Sequence, residues 1–187
     1  LQHQDGHSQL VATTIPNCIA YDPAYAYELA VIVWDGLRRM YAERESVFYY
    51  ITCMNENYVQ PALPPGTETG ILKGMYLLQR GGKGKVRANL LGSGTILREV
   101  IRAAEVLEQD FGVPADVFSV TSFSELRREA LDVERWNLLH SDQPPRVPYV
   151  QEVLGEQQGP FVAATDYMRI VADQIRQWVP ASFHVLA

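Results

Sequence analysis

Two histidines, His3 and His7, stand four residues apart in the opening run LQHQDGHS. On a helix that spacing would bring both imidazoles to one side, as in a zinc pair. Gly6 and the lack of an apolar stripe argue against a helix here. In an ordered Gly/Asp loop the same side chains could donate hydrogen bonds to a carboxylate or carbonyl and move protons near neutral pH. The plainer reading of a histidine near a terminus is a solvated side chain. Asn55-Glu56-Asn57 follow directly on the apolar stretch 47–54, VFYYITCM. Ligands of open α/β sheets bind beyond the carboxyl ends of strands, which makes Asn55 and Glu56 candidate binding residues. A polar surface loop is the competing reading.

Other motifs carry less chemistry. Gly92-Ser93-Gly94-Thr95 lies between a strand and a helix signal, where free N–H groups favour anions. Its dinucleotide fingerprint fails at Leu97, and Ser93 lacks the flanking pattern of a nucleophile elbow. It reads as a tight turn. Residues 81–85, GGKGK, lack the spacing of a phosphate-binding P-loop and read as a hairpin turn. Cys18 and Cys53 each sit in an apolar stretch and read as buried core thiols, not a disulfide framework. Tyrosines cluster at Tyr21, Tyr25 and Tyr27 and at Tyr49 and Tyr50, where each hydroxyl needs a partner.

Composition bounds what these residues belong to. The 187 residues carry 16 Lys and Arg against 22 Asp and Glu, a net charge of −6. That excess of acid argues against binding nucleic acid through its phosphates. No apolar run approaches a membrane span, the longest being broken by Asp35 and Gly36. A signal or transit peptide is not evident, and with two cysteines the expectation is a soluble, intracellular protein. The start at Leu1 and the closing strand-like run from Phe183 predict a piece of a longer protein.

The elements that would position these residues alternate. Residues 17–21 predict a short strand, and Asp22-Pro23 predicts the cap and first turn of a helix with the stripe Leu29, Ile32, Val33, Leu37, Met40. The stretch 47–54 reads as an interior parallel strand, apolar on both faces. Residues 60–66, QPALPPG, form a stiff connector and the best candidate domain boundary. Beyond it come a short helix at 67–73, strands at 75–79 and 86–91, and a helix from Ile96 to Phe111 ended by Gly112. A strand at 116–120 follows, then a helix at 124–139 with a break near Asp132 and a proline loop at 142–148. The last elements are a strand at 160–164 and a helix at 167–179 capped by Asp166 and stopped by Pro180. Alternating strands and helices predict an α/β fold with three layers around mostly parallel sheets.

Longer strings say more than these motifs. LQHQDGHS at 1–8, IPNCIAYDPAYAYELAVIVWDGL at 15–37, ITCMNENYVQPALPPG at 51–66, VTSFSEL at 120–126, ERWNLLH at 134–140 and PRVPYV at 145–150 closely resemble the homodimeric E1 components of bacterial pyruvate dehydrogenase complexes. These belong to the transketolase-like thiamine diphosphate family. The resemblance implies that residues 1–62 are the last part of a middle, pyrimidine-binding domain and residues 67–187 most of a C-terminal domain. It implies thiamine diphosphate and Mg2+ as cofactors, pyruvate as substrate, a homodimer, and the dihydrolipoyl acetyltransferase E2 as partner, in the cytoplasm. The family's diphosphate signature and its activating glutamate have no counterpart in this sequence. His3 matches the family's substrate-facing histidine, with His7 behind it, and Asn55 and Glu56 match substrate-channel positions. The arginine that related transketolases carry there is missing, which fits a substrate without a phosphate. The alternative expectation is a non-catalytic α/β module that dimerises or docks and binds no cofactor by itself.

Overall fold

Apolar runs in residues 5–187, the part that the computed structural model describes, pair into two sheets. In the first, β1 (Cys18–Tyr21) lies parallel to β2 (Phe48–Ile51), with Cys18 opposite Phe48 and Tyr21 opposite Ile51. The crossover between them is α2 (Ala26–Leu37), continued by a π-helical turn over Arg38–Ala42. A short α1 (Ser8–Ala12), absent from the sequence expectation, packs Ala12 beside Cys18 and Ala20.

The helix after Asp22-Pro23 starts later than expected. Its N-cap is Tyr25, because the Glu28 carboxylate reaches back to accept from the N–H groups of Ala24 (2.6 Å) and Tyr25 (3.0 Å). The expectation for 47–54 also needs correcting. Only four of those residues form a strand, and Phe48 is exposed, because among the described residues β1 is the sole partner of β2.

The second sheet has the order β3-β5-β4-β6-β7, formed by β3 (Met75–Gln79), β4 (Ala88–Gly92), β5 (Ala115–Val120), β6 (Phe161–Ala164) and β7 (Phe183–Leu186). All pairs are parallel except β3 with β5. One face is covered by α4 (Ile96–Phe111), whose Leu97, Val100 and Ala104 pack on Leu90 and Val117. The other is covered by α5 (Phe123–Leu139), α6 (Tyr149–Leu154) and α7 (Ile170–Asp173), packed on Phe118, Leu91 and Phe161. This is the three-layer α/β arrangement that the alternating pattern implies.

Three local expectations are overturned. The GGKGK segment is no hairpin turn, since β3 and β4 are not neighbours and β5 lies between them. The loop crosses the start of β5, and a Cβ on Gly81 would stand 2.6 Å from the Ala115 backbone. Buried Asp116 fixes the crossing by accepting from the Gly81 N–H (2.9 Å) and the Arg87 guanidinium (2.6 Å). Next, α5 runs unbroken past Asp132, with Leu126, Ala130 and Val133 kept on the core side. Finally, the expected helix at 167–179 is split into α7 and a 3-10 turn at Arg176–Trp178. Asp166 does not cap it; instead the Met168 N–H is drawn to the Gly6 carbonyl at 2.8 Å, holding that stretch as a loop.

A short helix, α3 (Glu68–Lys73), leads into β3. The two sheets meet along β1. Among the described residues its outer edge pairs with no strand; the Ser122 hydroxyl donates to the Ala20 carbonyl (2.6 Å) and Arg128 donates to the Cys18 carbonyl (2.7 Å). No helix among the described residues is long and apolar enough to cross a membrane.

Candidate active site

Carboxyl ends of strands from both sheets converge on Asp22, the residue after β1. The Thr52 hydroxyl, just past β2, donates to its Oδ1 at 2.7 Å. Past β4, the Gly94 N–H donates to the Asp22 carbonyl at 3.0 Å, and the Asp22 N–H donates to the Thr121 carbonyl, past β5, at 2.7 Å. Ser93 lies 3.2 Å from Thr165, past β6, hydroxyl to hydroxyl. Gln9 of α1 closes the cluster by donating to the Tyr21 carbonyl (3.2 Å) and Thr52 (3.0 Å). A cavity of about 10 Å3, room for about one water, opens between Gln9, Asp22, Ser93, Ser122 and Tyr167.

Burial pushes the Asp22 carboxyl up to about 6, and the carboxylates of Glu28 and Asp166 add to the shift, against hydrogen bonds from Thr52 and Ser93. Burial likewise raises the Tyr167 phenol, which stays protonated. Asp22 can therefore take up or release a proton near neutral pH, beside a cavity and a row of hydroxyls.

Directly below lies a carboxylate with no exposure at all. Besides its two backbone donors, Glu28 accepts through Oε1 from Tyr76 (2.7 Å) and Ser119 (2.6 Å). The Tyr27 and Tyr76 hydroxyls are 2.5 Å apart, and burial pushes the Tyr27 phenol up to about 12. Tyr25 stacks on Tyr27 at 5.4 Å, and the Tyr21 hydroxyl donates to the Leu72 carbonyl at 2.7 Å, so Tyr21 and Tyr27 of the first tyrosine cluster partner their hydroxyls inside the fold.

His3 lies outside the described residues. His7 precedes α1, exposed, with its Nδ1 3.8 Å from Asp5 Oδ1. Asp5 makes the turn by accepting from the N–H groups of His7 (3.0 Å) and Ser8 (2.9 Å), and the Ser8 bonds hold its carboxyl below the usual range. His7 borders an apolar groove of about 300 Å3 with Val11, Ile15, Phe48 and Tyr50. Asn55 and Glu56 are exposed beyond β2. Glu56 pairs with Arg98 at 3.2 Å and borders a different groove, of about 150 Å3, with Tyr25, Met54 and Tyr58. His7 and Glu56 are thus not brought into one pocket. Arg98 lies 4.6 Å over the Tyr58 ring and was not singled out by the sequence. Cys18 is a buried thiol as expected, but Cys53 is exposed, because β2 ends two residues before it.

Sequence reasoning missed Asp22, Thr52, Ser93 and Tyr167. The available signal is a polar residue directly after an apolar strand, as at Asp22, Thr52 and Ser93, but Asp22 before Pro23 reads equally as a helix cap. The Gly92–Thr95 turn does not fit a diphosphate. A Cβ on Gly94 would stand 2.6 Å from Asp22 Oδ2, so the turn faces a carboxylate that repels anions. Among the described residues no group of three His, Cys, Asp or Glu side chains is placed to hold a metal ion.

Residues 74–186 match the transketolase-like TK C-terminal domain, and the chain belongs to that family. Residues 1–61 match the pyruvate dehydrogenase E1 component middle domain. The chain is 62% identical, over 97% of its length, to the pyruvate dehydrogenase E1 component of Pseudomonas aeruginosa. It is 59% identical, over 97%, to that of Escherichia coli K12. It spans about a fifth of the length of these relatives, 21% and 20%. Among solved structures, transketolase from Campylobacter jejuni aligns over 99% of this chain and 24% of its own, at 16% identity and a TM-score of 0.61. A Pichia stipitis transketolase complex with sedoheptulose-7-phosphate aligns over 87% and 20%, at 19% and 0.56. These two establish the fold alone.

Proposed function

We propose that this chain is part of the E1 component of a pyruvate dehydrogenase complex. In this reading a complete homodimeric enzyme decarboxylates pyruvate oxidatively and passes the acetyl unit to the lipoyl group of the E2 dihydrolipoyl acetyltransferase, in the cytoplasm. What supports it is identity of 59–62%, over 97% of the chain, with proteins of that name. Residues 1–62 are then the end of the pyrimidine-binding domain and residues 67–187 most of the C-terminal domain, with their junction in the proline-rich connector.

Thiamine diphosphate supplies the electron sink for decarboxylation, and with Mg2+ it is held by other parts of the complete enzyme. This chain's contribution is a wall of the substrate site. In this reading His3 stabilises developing charge on the substrate and relays a proton, and His7 serves in a supporting role. Asn55 and Glu56 line the approach. In the complete enzyme His3→Ala should lower kcat by roughly 10²–10⁴, the usual range for a positioned acid–base group. Decarboxylation of carboxyl-labelled pyruvate with an artificial electron acceptor measures it; an unchanged kcat removes His3 from the mechanism. Calorimetry of the 187-residue chain with thiamine diphosphate and Mg2+ should give no binding heat.

One observation favours a second reading, a non-catalytic module that dimerises or docks. Trp34 (72% exposed), Leu37 and Tyr41 (75%) form an uncovered apolar face on α2 and its π-helical extension. Under this reading Trp34→Glu converts an associated chain to a monomer in sedimentation, whatever the fate of His3.

A further inference from the structure

The turn that carries His7 is held from the other side of the molecule. Within the turn, Asp5 Oδ1 accepts from the His7 and Ser8 N–H groups, and the His7 carbonyl accepts from Leu10 (2.9 Å) and Val11 (3.0 Å) of α1. Those bonds shape residues 5–8 but do not set where the turn stands against the second sheet. The segment after β6 does that. The Met168 N–H donates to the Gly6 carbonyl at 2.8 Å, and a Cβ on Gly6 would stand 3.4 Å from Met168 Cγ. Among the described residues this is the hydrogen bond that ties residues 5–8 to the elements of the five-stranded sheet. The Met168 side chain is 51% exposed, so the main-chain N–H, not the thioether, makes the attachment.

The segment that offers this N–H is itself fixed. Thr165 is buried at the end of β6; its N–H donates to the Leu186 carbonyl of β7 at 3.1 Å, and its hydroxyl lies 3.2 Å from that of Ser93. The Tyr167 N–H donates to Thr165 Oγ1 at 3.3 Å, a local turn that leaves the next N–H, that of Met168, free to meet Gly6. The Tyr167 ring packs on the same core cluster as Leu10 of α1, so the segment and the turn rest on one body of apolar side chains. Burial keeps the Tyr167 phenol protonated beside Asp22 and Asp5, so it adds no charge to those carboxylates.

Placement of this kind governs rate in acid–base chemistry, where a displacement of about 1 Å costs on the order of 10²-fold. We infer that segment 165–168 positions the histidine turn for catalysis through the Met168 N–H, which makes the work of His7, and of His3 four positions ahead of it, depend on the docking of the two sheets. The inference rests on the reading that these histidines serve pyruvate decarboxylation, and deepens it. Thr165 and Met168 are positioning residues: they act through the turn and not on the reacting atoms.

The test is steady-state decarboxylation of pyruvate by the complete enzyme with an artificial electron acceptor. Met168→Pro deletes the donor, and kcat should fall about 10–100-fold while KM for pyruvate changes by less than about threefold. Met168→Ala keeps the N–H and should restore kcat to within about threefold of the parent. In a His3→Ala enzyme, Met168→Pro should cost less than about threefold more, because a residue that acts through the histidine turn then has little left to position. Thr165→Val removes the acceptor of the Tyr167 N–H and should lower kcat several-fold, with the same non-additivity. It is the deciding variant where Met168→Pro does not assemble in sedimentation. A parent-like kcat in the deciding variant, an equal loss in Met168→Ala, or a full multiplicative loss on top of His3→Ala overturns the inference and leaves the histidine role standing. Unchanged kcat in both His3→Ala and His7→Ala overturns the histidine role, and the inference with it.

Discussion

The substitution Asp22→Asn tests the physics of the candidate site most directly. In the folded chain the Asp22 carboxyl is pushed up to about 6, first by burial and then by Glu28 and Asp166. In the unfolded chain it titrates near the ordinary value of about 3.9. Between these values the folded state holds the proton more tightly, so Asp22 favours folding below about pH 4 and that contribution is lost as pH rises through about 6. A shift of about two units corresponds to at most ~3 kcal/mol, and since Asp22 keeps some solvent contact we expect roughly 1–2 kcal/mol. The amide that replaces the carboxyl cannot ionise but can still accept from Thr52. Urea unfolding of parent and variant at about pH 4 and about pH 7.5 isolates the effect, because other titrating groups cancel in the difference. The variant should gain on the parent by roughly 1–2 kcal/mol between the two pH values. A difference that stays constant, or moves the other way, refutes the claim that burial governs Asp22.

Other substitutions test neighbouring parts of the argument. Glu28→Ala strands four donors (Ala24, Tyr25, Tyr76, Ser119) and opens a cavity, so it should cost about 3–5 kcal/mol by urea unfolding, with Glu28→Gln in between because its Oε1 still accepts. Gly94→Ala meets both a φ of +52 and the Asp22 carboxylate, and should cost about 2 kcal/mol or more; Asp22→Gly in the same chain should recover part of that. In the complete enzyme Asn55→Ala should act mainly on KM for pyruvate, in steady-state assays, with kcat nearly retained.

Local elements were legible because local chemistry dictates them. The helix from Ile96 to Phe111 matches its apolar stripe and ends at Gly112, and β1, β3, β5 and β6 fall within a residue of the apolar runs. What failed depends on tertiary neighbours. Strand order separates β3 from β4, and no feature of GGKGK announces that β5 must pass between them. The run 47–54 is apolar but for Thr52, yet only the pairing with β1 sets where the strand stops. His7, Asn55 and Glu56 were legible as polar groups at element ends, but the placement of His7 and Glu56 beside two separate grooves was not. The Asp22 cluster was invisible for a further reason: it is assembled from segments near residues 9, 22, 52, 93, 121 and 165, each of which looks ordinary alone.

That assembly follows from how β1 is held. Two strands alone are marginal in water, so the β1-β2 pair must borrow partners. It borrows them from the other sheet: Ser122 and Arg128 satisfy the carbonyls of Ala20 and Cys18, and Thr121 accepts from Asp22. Ser122 is at the same time the N-cap of α5, its hydroxyl oxygen accepting from the Glu125 N–H at 3.0 Å. One side chain therefore starts the helix that covers the five-stranded sheet and fixes the strand that ends at Asp22. Asp22 reaches its hydroxyl-lined cavity only while the two sheets are docked, so its raised pKa reports that docking. Any ligand or partner that shifts β1 against α5 must also change the affinity of Asp22 for its proton, and the reverse holds by linkage.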